Sequence, residues 1–503
     1  MEAYAFESDQ SFSQSIFKFQ SLVSTLQSCD SHKMDLSAAE ILIEKDGREI
    51  LRCLLEEHFK LRGPGMIGDS LEGSDSIDRS HKRIRPITKT SIFGEINIDR
   101  TVYSARGHTS LVPKDAMLNL PEFKYSHNLE QQLAFEAAKN SFEASIETVS
   151  SRTGVKLPKR QAEEIAGRVS QDFDDFYAER LVDDLTKTTA ERDLLVLTTD
   201  AKGIVVRQDD LREATKVRAK AAEKKLKKRL SKGEKKNAKR MAQVASVYSI
   251  DSNNRTPEQI MSTEKSKTPP RPQAKRVWAN IASETKTVIT EMFDEAERRD
   301  PSRQKPWVVL IDGQEHQFSL INAEIESRNV DPYIVLDIIH VIQYLWKAAR
   351  DFYSEDDTSC EDWINHYLLM ILNGKAVQAA AGMRRSATRQ GIKSREKVET
   401  CAHYLHTNSE LMHYDEYLAK GLPIGTGVIE GACRHLIKDR MDITGAKWSL
   451  GGAEAILRLR SIYVSGDWDD YCMFHQKKEY ERNHKIHYAR PERLTEPKLR
   501  LIK

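Results

Sequence analysis

Paired cysteines, long apolar runs and a surplus of charge of either sign are all missing from this 503-residue chain. Its six cysteines (Cys29, Cys53, Cys360, Cys401, Cys433 and Cys472) include no pair at C-x-x-C spacing. That argues against a zinc ribbon or redox dithiol and for isolated reduced thiols of a cytosolic protein. No run of about 20 apolar residues occurs, so no membrane-spanning helix is expected. Met1–Asp30 has no basic stretch followed by an apolar core, so no secretory signal is expected either. The formal net charge is only +2, so partners must be read from where the charges lie rather than from their sum. No internal repeat is visible. These absences leave a cytoplasmic chain with no membrane partner as the expectation.

What is present suits a large soluble enzyme or binding protein. Apolar residues make up 39% and charged residues 31%, and the length gives room for about two to four domains of ~100–200 residues. Residues 1–66 read as a helical region. Ala38–Leu61 sets Ile41, Leu42, Ile50, Leu51, Leu54 and Leu55 near helical spacing, and Gly63-Pro64-Gly65 ends it. After a Ser/Asp/Gly-rich linker, Gly68–Arg83, a second region spans 84–175. Its Ile84–Val102 segment alternates around Gly94 and predicts a small hairpin. Helices follow over Leu129–Ala138, Ser141–Ser151 and Pro158–Phe173, the last two joined through Thr153-Gly154-Val155. Helix, glycine turn, helix is the pattern of a helix-turn-helix, which would carry Lys159, Arg160 and Arg168 into a DNA major groove. An ordinary helical hairpin has the same spacing.

Residues 190–350 and 421–475 read as a catalytic α/β domain. Short apolar β-type runs are Leu194–Thr199, with Gly203–Val206 as its return strand, then Met241–Ile250, Trp307–Ile311 and Tyr333–Leu336. Helices are expected at Val277–Arg298, Ile338–Phe352, Val428–Arg440 and Leu450–Tyr463. A basic insert lies within 207–240: Arg212–Arg240 holds fourteen Lys or Arg against three Glu. It is either a solvated face or a segment that touches phosphates. A proline-rich linker, Lys267–Pro272, follows, an all-helical insertion covers 351–420, and a basic tail covers 476–503.

The chemistry is carried by acids at strand ends. Leu194–Thr199 runs into Asp200 and Trp307–Ile311 runs into Asp312-Gly313. In an α/β sheet such positions face the crevice where ligands bind. Two carboxylates on neighbouring strands can share hard divalent cations, and phosphoryl transfer uses a pair of ions about 3.5–4 Å apart. A third acid, Glu430, sits in Gly425-Thr426-Gly427-Val428-Ile429-Glu430-Gly431-Ala432, where glycines allow a close turn and the helix would aim Glu430 at the strand ends. Each acid alone is more often a helix or turn cap; the order strand-Asp, strand-Asp-Gly, helix-Glu is more specific.

In that order the chain resembles bacterial insertion-sequence transposases of the DDE class, specifically the Kra-type (ISKra) group, related to the Mutator-like transposases. The resemblance rests on Thr198-Thr199-Asp200, on Ile311-Asp312-Gly313 with Asp337-Ile338-Ile339-His340, and on the block from Gly425 to His435 that continues to Arg440-Met441 and Gly445-Ala446-Lys447-Trp448-Ser449. It spans roughly residues 80 to 475. It implies a ribonuclease-H-like core with an all-α insertion before the last acid, and the 118 positions between Asp312 and Glu430 (430 − 312) agree. It implies two Mg²⁺ or Mn²⁺ ions, with Asp200 bridging both while Asp312 and Glu430 each hold mainly one. It also makes Asp337 and His340 a (C/D)-x-x-H signature. There, His340 would contact the scissile phosphate or hold a carboxylate, unless it is a satisfied core histidine. Asp337 is the alternative to Asp312 as second ligand; the stronger strand and the Asp-Gly turn favour Asp312. Arg434, Lys438, Arg440 and Lys447 would hold phosphates, and Trp448 would stack on an unpaired base or pack in the core.

The implied activity is metal-dependent cleavage and strand transfer at the ends of a mobile element. Partners would be double-stranded DNA (terminal inverted repeats and target) and a second or further copy of the chain, in a bacterial cytoplasm at the nucleoid. The cysteine-bearing zinc element of some relatives is absent. A structure-specific nuclease or resolvase of the same fold, and a DNA-binding regulator that no longer cuts, remain as other readings.

Overall fold

The computed structural model describes residues 12–180, 192–221, 237–262, 270–354, 356–443 and 445–491. The central part of the basic insert (222–236), the first half of the proline-rich linker (267–269) and the tail from 492 lie outside the described residues. The chain divides into two compact units, Met1–Ala178 with Asp467–Lys503, and Glu179–Gly466.

The first unit begins with a helical hairpin, α1 (Ser13–Gln27) and α2 (Leu36–Leu61). Asp35 caps α2 by accepting from the Ala38 N–H, and Glu57 near its far end accepts the N–H groups of Gln14 and Ser15, tying α1 alongside. The expected β-hairpin is present as β1 (His81–Ser91) and β2 (Gly94–Ser104), antiparallel from His81↔Ser104 to Ser91↔Gly94. Three helices follow: α3 (His127–Lys139), α4 (Phe142–Thr153) and α5 (Lys159–Val169). Ser126 and Ser141 cap the first two, and Gly154 closes α4 with φ 72°, a left-handed geometry that glycine adopts without strain. The helix expected over Pro158–Phe173 breaks at Ser170–Asp172 and resumes as α6 (Phe173–Glu179). The last helix, Trp468–Asn483, belongs to this unit: the Tyr471 hydroxyl donates to the Val169 carbonyl at 2.5 Å and His475 pairs with Asp172 at 2.6 Å. The sequence reading ended the catalytic region at 475 and began a basic tail at 476. The chain instead leaves the second unit at Gly466, where φ of 82° ends the preceding helix.

The second unit is built on a mixed α/β sheet of five strands, in order β5-β4-β3-β6-β7. These are β3 (Leu194–Val205), β4 (Lys239–Ile250), β5 (Gln273–Asn280), β6 (Trp307–Ile311) and β7 (Tyr333–Leu336). The first three form an antiparallel meander; β6 runs parallel to β3 and β7 parallel to β6. Two expectations are corrected. Gly203–Val206 is not a return strand. β3 runs straight through Asp200 to Val205 because β4 pairs with it along its whole length, from Leu194↔Ile250 to Val205↔Lys239. Nor does a helix begin at Val277. Val277-Trp278-Ala279 lies in β5, all buried, and the helix α7 starts only at Thr285 and runs to Arg299. β-branched and aromatic residues favour a pleated, buried strand there over a helical turn.

β5 is an edge strand, and its outer backbone groups are covered rather than left open. The N–H groups of Val277 and Ala279 donate to the hydroxyls of Ser465 and Ser461 at 3.0 and 3.3 Å, both on α14 (defined below). On the other side of the meander α7 buries Val288, Ile289, Met292, Phe293 and Ala296. After α8 (Glu315–Arg328) and β7 come α9 (Ile338–Ala349), then the expected all-helical insertion, α10 (Ser359–Leu372), α11 (Ala376–Arg389), α12 (Glu396–Thr407) and α13 (Tyr414–Ala419). The chain returns through a helix that is α over Gly427–Ala432 and π over Cys433–Lys438, and ends on α14 (Leu450–Ser465).

Candidate active site at the carboxyl edge of the sheet

Register aligns three aspartates. The last parallel pairs are Thr198↔Leu310 and Ile311↔Leu336. Two residues beyond the first pair are Asp200 and Asp312; one beyond the second are Asp312 and Asp337. Asp200 is the seventh of twelve residues in β3 and not its end, but it stands where the parallel neighbour β6 has stopped. Beyond that row β3 continues to Val205, whereas β6 ends at Ile311 and β7 at Leu336.

The three acids are in different states. Asp337 is fully buried and caps α9. Its Oδ1 accepts the N–H groups of Ile339 and Thr426, both at 3.0 Å. Its Oδ2 accepts the Thr426 hydroxyl at 2.5 Å and His340 Nδ1 at 2.8 Å. Burial alone would raise its pKa, but these donors, His340 and Thr426 foremost, hold it below the ordinary carboxylate range. Every oxygen of Asp337 is thus engaged by the protein. The same hydrogen bond raises the His340 pKa, helped by the charges of Asp312 and Asp200. A charged carboxylate can only accept, so Nδ1 carries the proton and Nε2 is the ring's remaining polar atom.

Asp312 is held differently. Burial pushes its carboxyl up; the Gln314 N–H, at 2.9 Å from Oδ1, and the charge of His340 oppose this, while Asp200 adds to it. Its backbone carbonyl accepts the Tyr404 hydroxyl at 3.0 Å, and the Leu336 carbonyl accepts Tyr414 at 2.8 Å, so α12 and α13 of the helical insertion pin the ends of β6 and β7. Tyr404 in turn stacks on Tyr344 of α9, ring centroids 3.9 Å apart. Gly313 has φ 82°, and a Cβ there would meet Leu336 Cδ1 at 3.0 Å and Tyr404 Cε2 at 3.2 Å, so both conformation and space require glycine.

Asp200 is half-buried. Its Oδ1 accepts the Ala201 N–H at 2.6 Å and its Oδ2 accepts the Cys433 thiol at 3.2 Å. Burial raises the Cys433 pKa, and Asp200 and Glu430 raise it further. Cys433 is the first residue of the π segment, one turn after Glu430. The returning helix therefore reaches Asp200 through Cys433 and presents Glu430, exposed, one turn upstream. Single π turns inside α-helices recur at functional positions. The structure does not bring Asp200, Asp312 and Glu430 into one tight cluster. Among the described residues, the only group of three ligand-type side chains within 4.8 Å of one another is Asp172, His475 and Glu479, in the first unit. That group is already satisfied. Asp172 is paired with His475 and Arg482, and Glu479 accepts from Gln171, Arg482 and Asn483, each at 2.9 Å.

The DNA-contact expectations divide. Lys159 and Arg160 are exposed at the start of α5, each in one surface pair, with Glu143 at 3.4 Å and Glu164 at 2.9 Å. Arg168 is not available: it pairs with buried Glu130 and lies over the Phe123 ring, 4.2 Å from its centroid. Arg434, Lys438 and Lys447 are exposed. Arg440 is buried against the Trp448 ring, and burial lowers its pKa to about 10. Trp448 is a core residue rather than a stacking platform: its backbone pairs with Val205 and Arg207, and its indole N–H donates to the Met441 carbonyl at 3.0 Å. Cys433, Thr426, Tyr404 and Tyr414 hold the candidate site's geometry; Thr426 and Cys433 stood inside the Gly425–His435 block without a role, and Tyr404 and Tyr414 were not singled out, because each acts across 78 to 233 positions. No protein-family model matches the chain, and no curated protein matches it. No helix among the described residues is long and apolar enough to cross a membrane.

Proposed function

We propose that the second unit is a ribonuclease-H-like core and that the chain is a DDE-type transposase, cutting and joining DNA at the ends of a mobile element. The observation that carries the reading is the row Asp200, Asp312, Asp337 across three parallel strands, with Glu430 on a helix anchored to the first of them. An antiparallel three-stranded meander followed by two parallel strands is the arrangement expected of such a core. The long helical insertion before Glu430 agrees with it.

The donors fit hard divalent ions. Asp200, Asp312 and Glu430 offer only carboxylate oxygens, and Asp312, raised by burial and by Asp200, is a like-charge pairing that a cation relieves. Mg²⁺ or Mn²⁺ bound there would activate water or a 3′-hydroxyl and stabilise the leaving oxygen. Asp200 and Asp312 supply ligands from rigid strands, and Glu430 closes the set from its helix. Asp337 is then a positioning residue rather than a ligand. It keeps His340 protonated, so that Nε2 donates to a phosphate oxygen and offsets charge as the phosphodiester is attacked. Tyr404 and Tyr414 fix the strand ends. Helices α3 to α5, with Lys159 and Arg160 exposed, supply a separate DNA-binding element, which favours a transposase over a junction-cutting nuclease.

The test is an incubation of the chain with DNA flanking its own coding sequence, plus Mg²⁺ or Mn²⁺. Metal-dependent cleavage at fixed ends, absent in Asp200→Ala while binding persists, is the expected result. Preferential cutting of branched junctions would replace the reading with a resolvase, and binding without cutting would replace it with a regulator.

A further inference from the structure

The turn that carries Glu430 is tied down at both ends to acids of the sheet. Thr426 stands at the head of the returning helix, where a threonine ordinarily turns its oxygen to the first N–H groups of that helix. Its side chain makes no such cap. It is turned to Asp337 instead, so that the Thr426 N–H and hydroxyl donate to Oδ1 and Oδ2 of that carboxylate at 3.0 and 2.5 Å. At the other end the Cys433 thiol donates to Asp200 Oδ2 at 3.2 Å. Both residues are buried, each 3% exposed. Glu430 lies between these anchors. It comes four residues after Thr426, whose carbonyl accepts its N–H at 3.0 Å, and three before Cys433, so on the helix surface it neighbours both.

The anchor acids are not on neighbouring strands. Asp200 is on β3 and Asp337 follows β7, and β6, which leads into Asp312, runs between them. Two strand spacings are about 9.5 Å, and the seven steps from Thr426 to Cys433 (433 − 426) rise about 10.5 Å in a helix, so the turn bridges the row with little slack. Between its anchors the turn packs against β3 and β4 and buries Ile429 and Ala432. Glu430 is left as its exposed acid. Just ahead of Thr426 the Ile338 N–H donates to the Ile424 carbonyl at 2.9 Å, which ties the lead-in to the start of α9 as well.

We infer, on the proposed function's reading of Glu430 as a metal ligand, that Thr426 and Cys433 are positioning residues for Glu430, holding its turn between Asp337 and Asp200 so that it keeps a fixed reach to the Asp200–Asp312 pair. Asp337 then acts on the third acid through Thr426 as well as on His340. The two anchors are unequal, because a hydroxyl on a charged carboxylate makes a strong bond and a thiol is a weak donor. In a Mn²⁺ titration of the full chain, Thr426→Val should weaken binding about ten-fold and Cys433→Val about three-fold, and Thr426→Ser, which keeps the hydroxyl, should recover most of the Thr426→Val loss. Tyr417→Phe removes a hydroxyl bond to the Ile334 carbonyl of β7 at 3.3 Å without touching this turn, and should leave Mn²⁺ affinity within about two-fold. No loss from Thr426→Val, no recovery in Thr426→Ser, or an equal loss from Tyr417→Phe would overturn the proposal. A second readout needs no metal. Iodoacetamide labelling of Cys433, followed by mass spectrometry, should rise at least about five-fold in Thr426→Val, while Cys401, buried in the same unit, stays as it was. Unchanged labelling of Cys433, or a rise shared by Cys401, would overturn the proposal too. Mn²⁺ binding that survives Asp200→Asn would instead overturn the proposed function, while the labelling still decides whether the turn is held as inferred.

Discussion

Among the described residues, a group of acids with a histidine lies in each of the two units, and the two are solved in opposite ways. In the first unit Asp172, His475 and Glu479 lie close together, but arginine, asparagine and glutamine donors already engage them; donors from His475 and Arg482 keep the Asp172 pKa low despite its burial. In the second unit Asp200 and Asp312 stand in one row with no lysine or arginine salt-bridged to either among the described residues, and burial with mutual repulsion raises Asp312. The compact group is a clamp between α6 and the last helix, and the looser row is the place with unmet demand for positive charge. Under the proposed function, proximity of ligand-type atoms is the weaker guide to where a cation binds. The missing counter-charge is the better one, since buried carboxylates need either donors or a cation.

The contrast can be broken first by deleting acids from each group. Asp200→Ala or Glu430→Gln should lower metal-dependent DNA cleavage by about 10³-fold, the equivalent of several kcal/mol of lost charge stabilisation, whereas Glu479→Gln should leave the rate within about two-fold. Comparable losses from all three would erase the distinction. Next in size is Asp337→Ala. It strands the donors of Thr426, Ile339 and His340 inside the protein, so chemical denaturation should show a loss of about 3 kcal/mol, with a fall in cleavage as well. A variant as stable as the parent would mean that Asp337 is not a buried anchor.

Smaller and more diagnostic is the response to pH. His127 and His484 in the first unit are lowered to about 4 by burial, and their rings meet the carbonyls of Asn119 and Leu120. Between the ordinary histidine value near 6.5 and about 4, the unfolded chain takes up protons that the folded chain refuses. Stability of the first unit should therefore fall as pH drops through that window. His340 has the opposite sign: its pKa is raised, so its contribution is complete below about 6.5 and is lost as pH rises through the raised value. Melting curves across pH for His484→Gln and His340→Gln should each flatten one slope and leave the other. One variant flattening both would contradict these assignments.

Much of the candidate site was legible in the sequence because its signals are local. Apolar runs ending at Asp200 and Asp312, the Asp337–His340 spacing and the glycines around Glu430 are all contiguous signals, and the structure places them along one sheet edge. What was not legible depends on pairing partners. Whether Leu194–Val205 is one strand or two is decided by β4, some forty residues on, and Val277 is strand rather than helix because an edge position awaited it. Arg168, Arg440 and Trp448 carry residue types found on DNA surfaces, but Glu130 draws Arg168 inward, Met441 and Val205 hold Trp448, and Arg440 packs over the Trp448 ring. The different surroundings of Asp312 and Asp337 separate only once Thr426 is seen to donate to both oxygens of Asp337.

The most direct test of the charge-demand argument is a Mn²⁺ titration followed by electron paramagnetic resonance, on the unchanged chain and on Asp200→Asn, Glu430→Gln and Glu479→Gln. Saturable binding that is lost in the first two variants and kept in the third is the expected result. Binding that survives Asp200→Asn and disappears with Glu479→Gln would place the cation in the first unit and contradict the account.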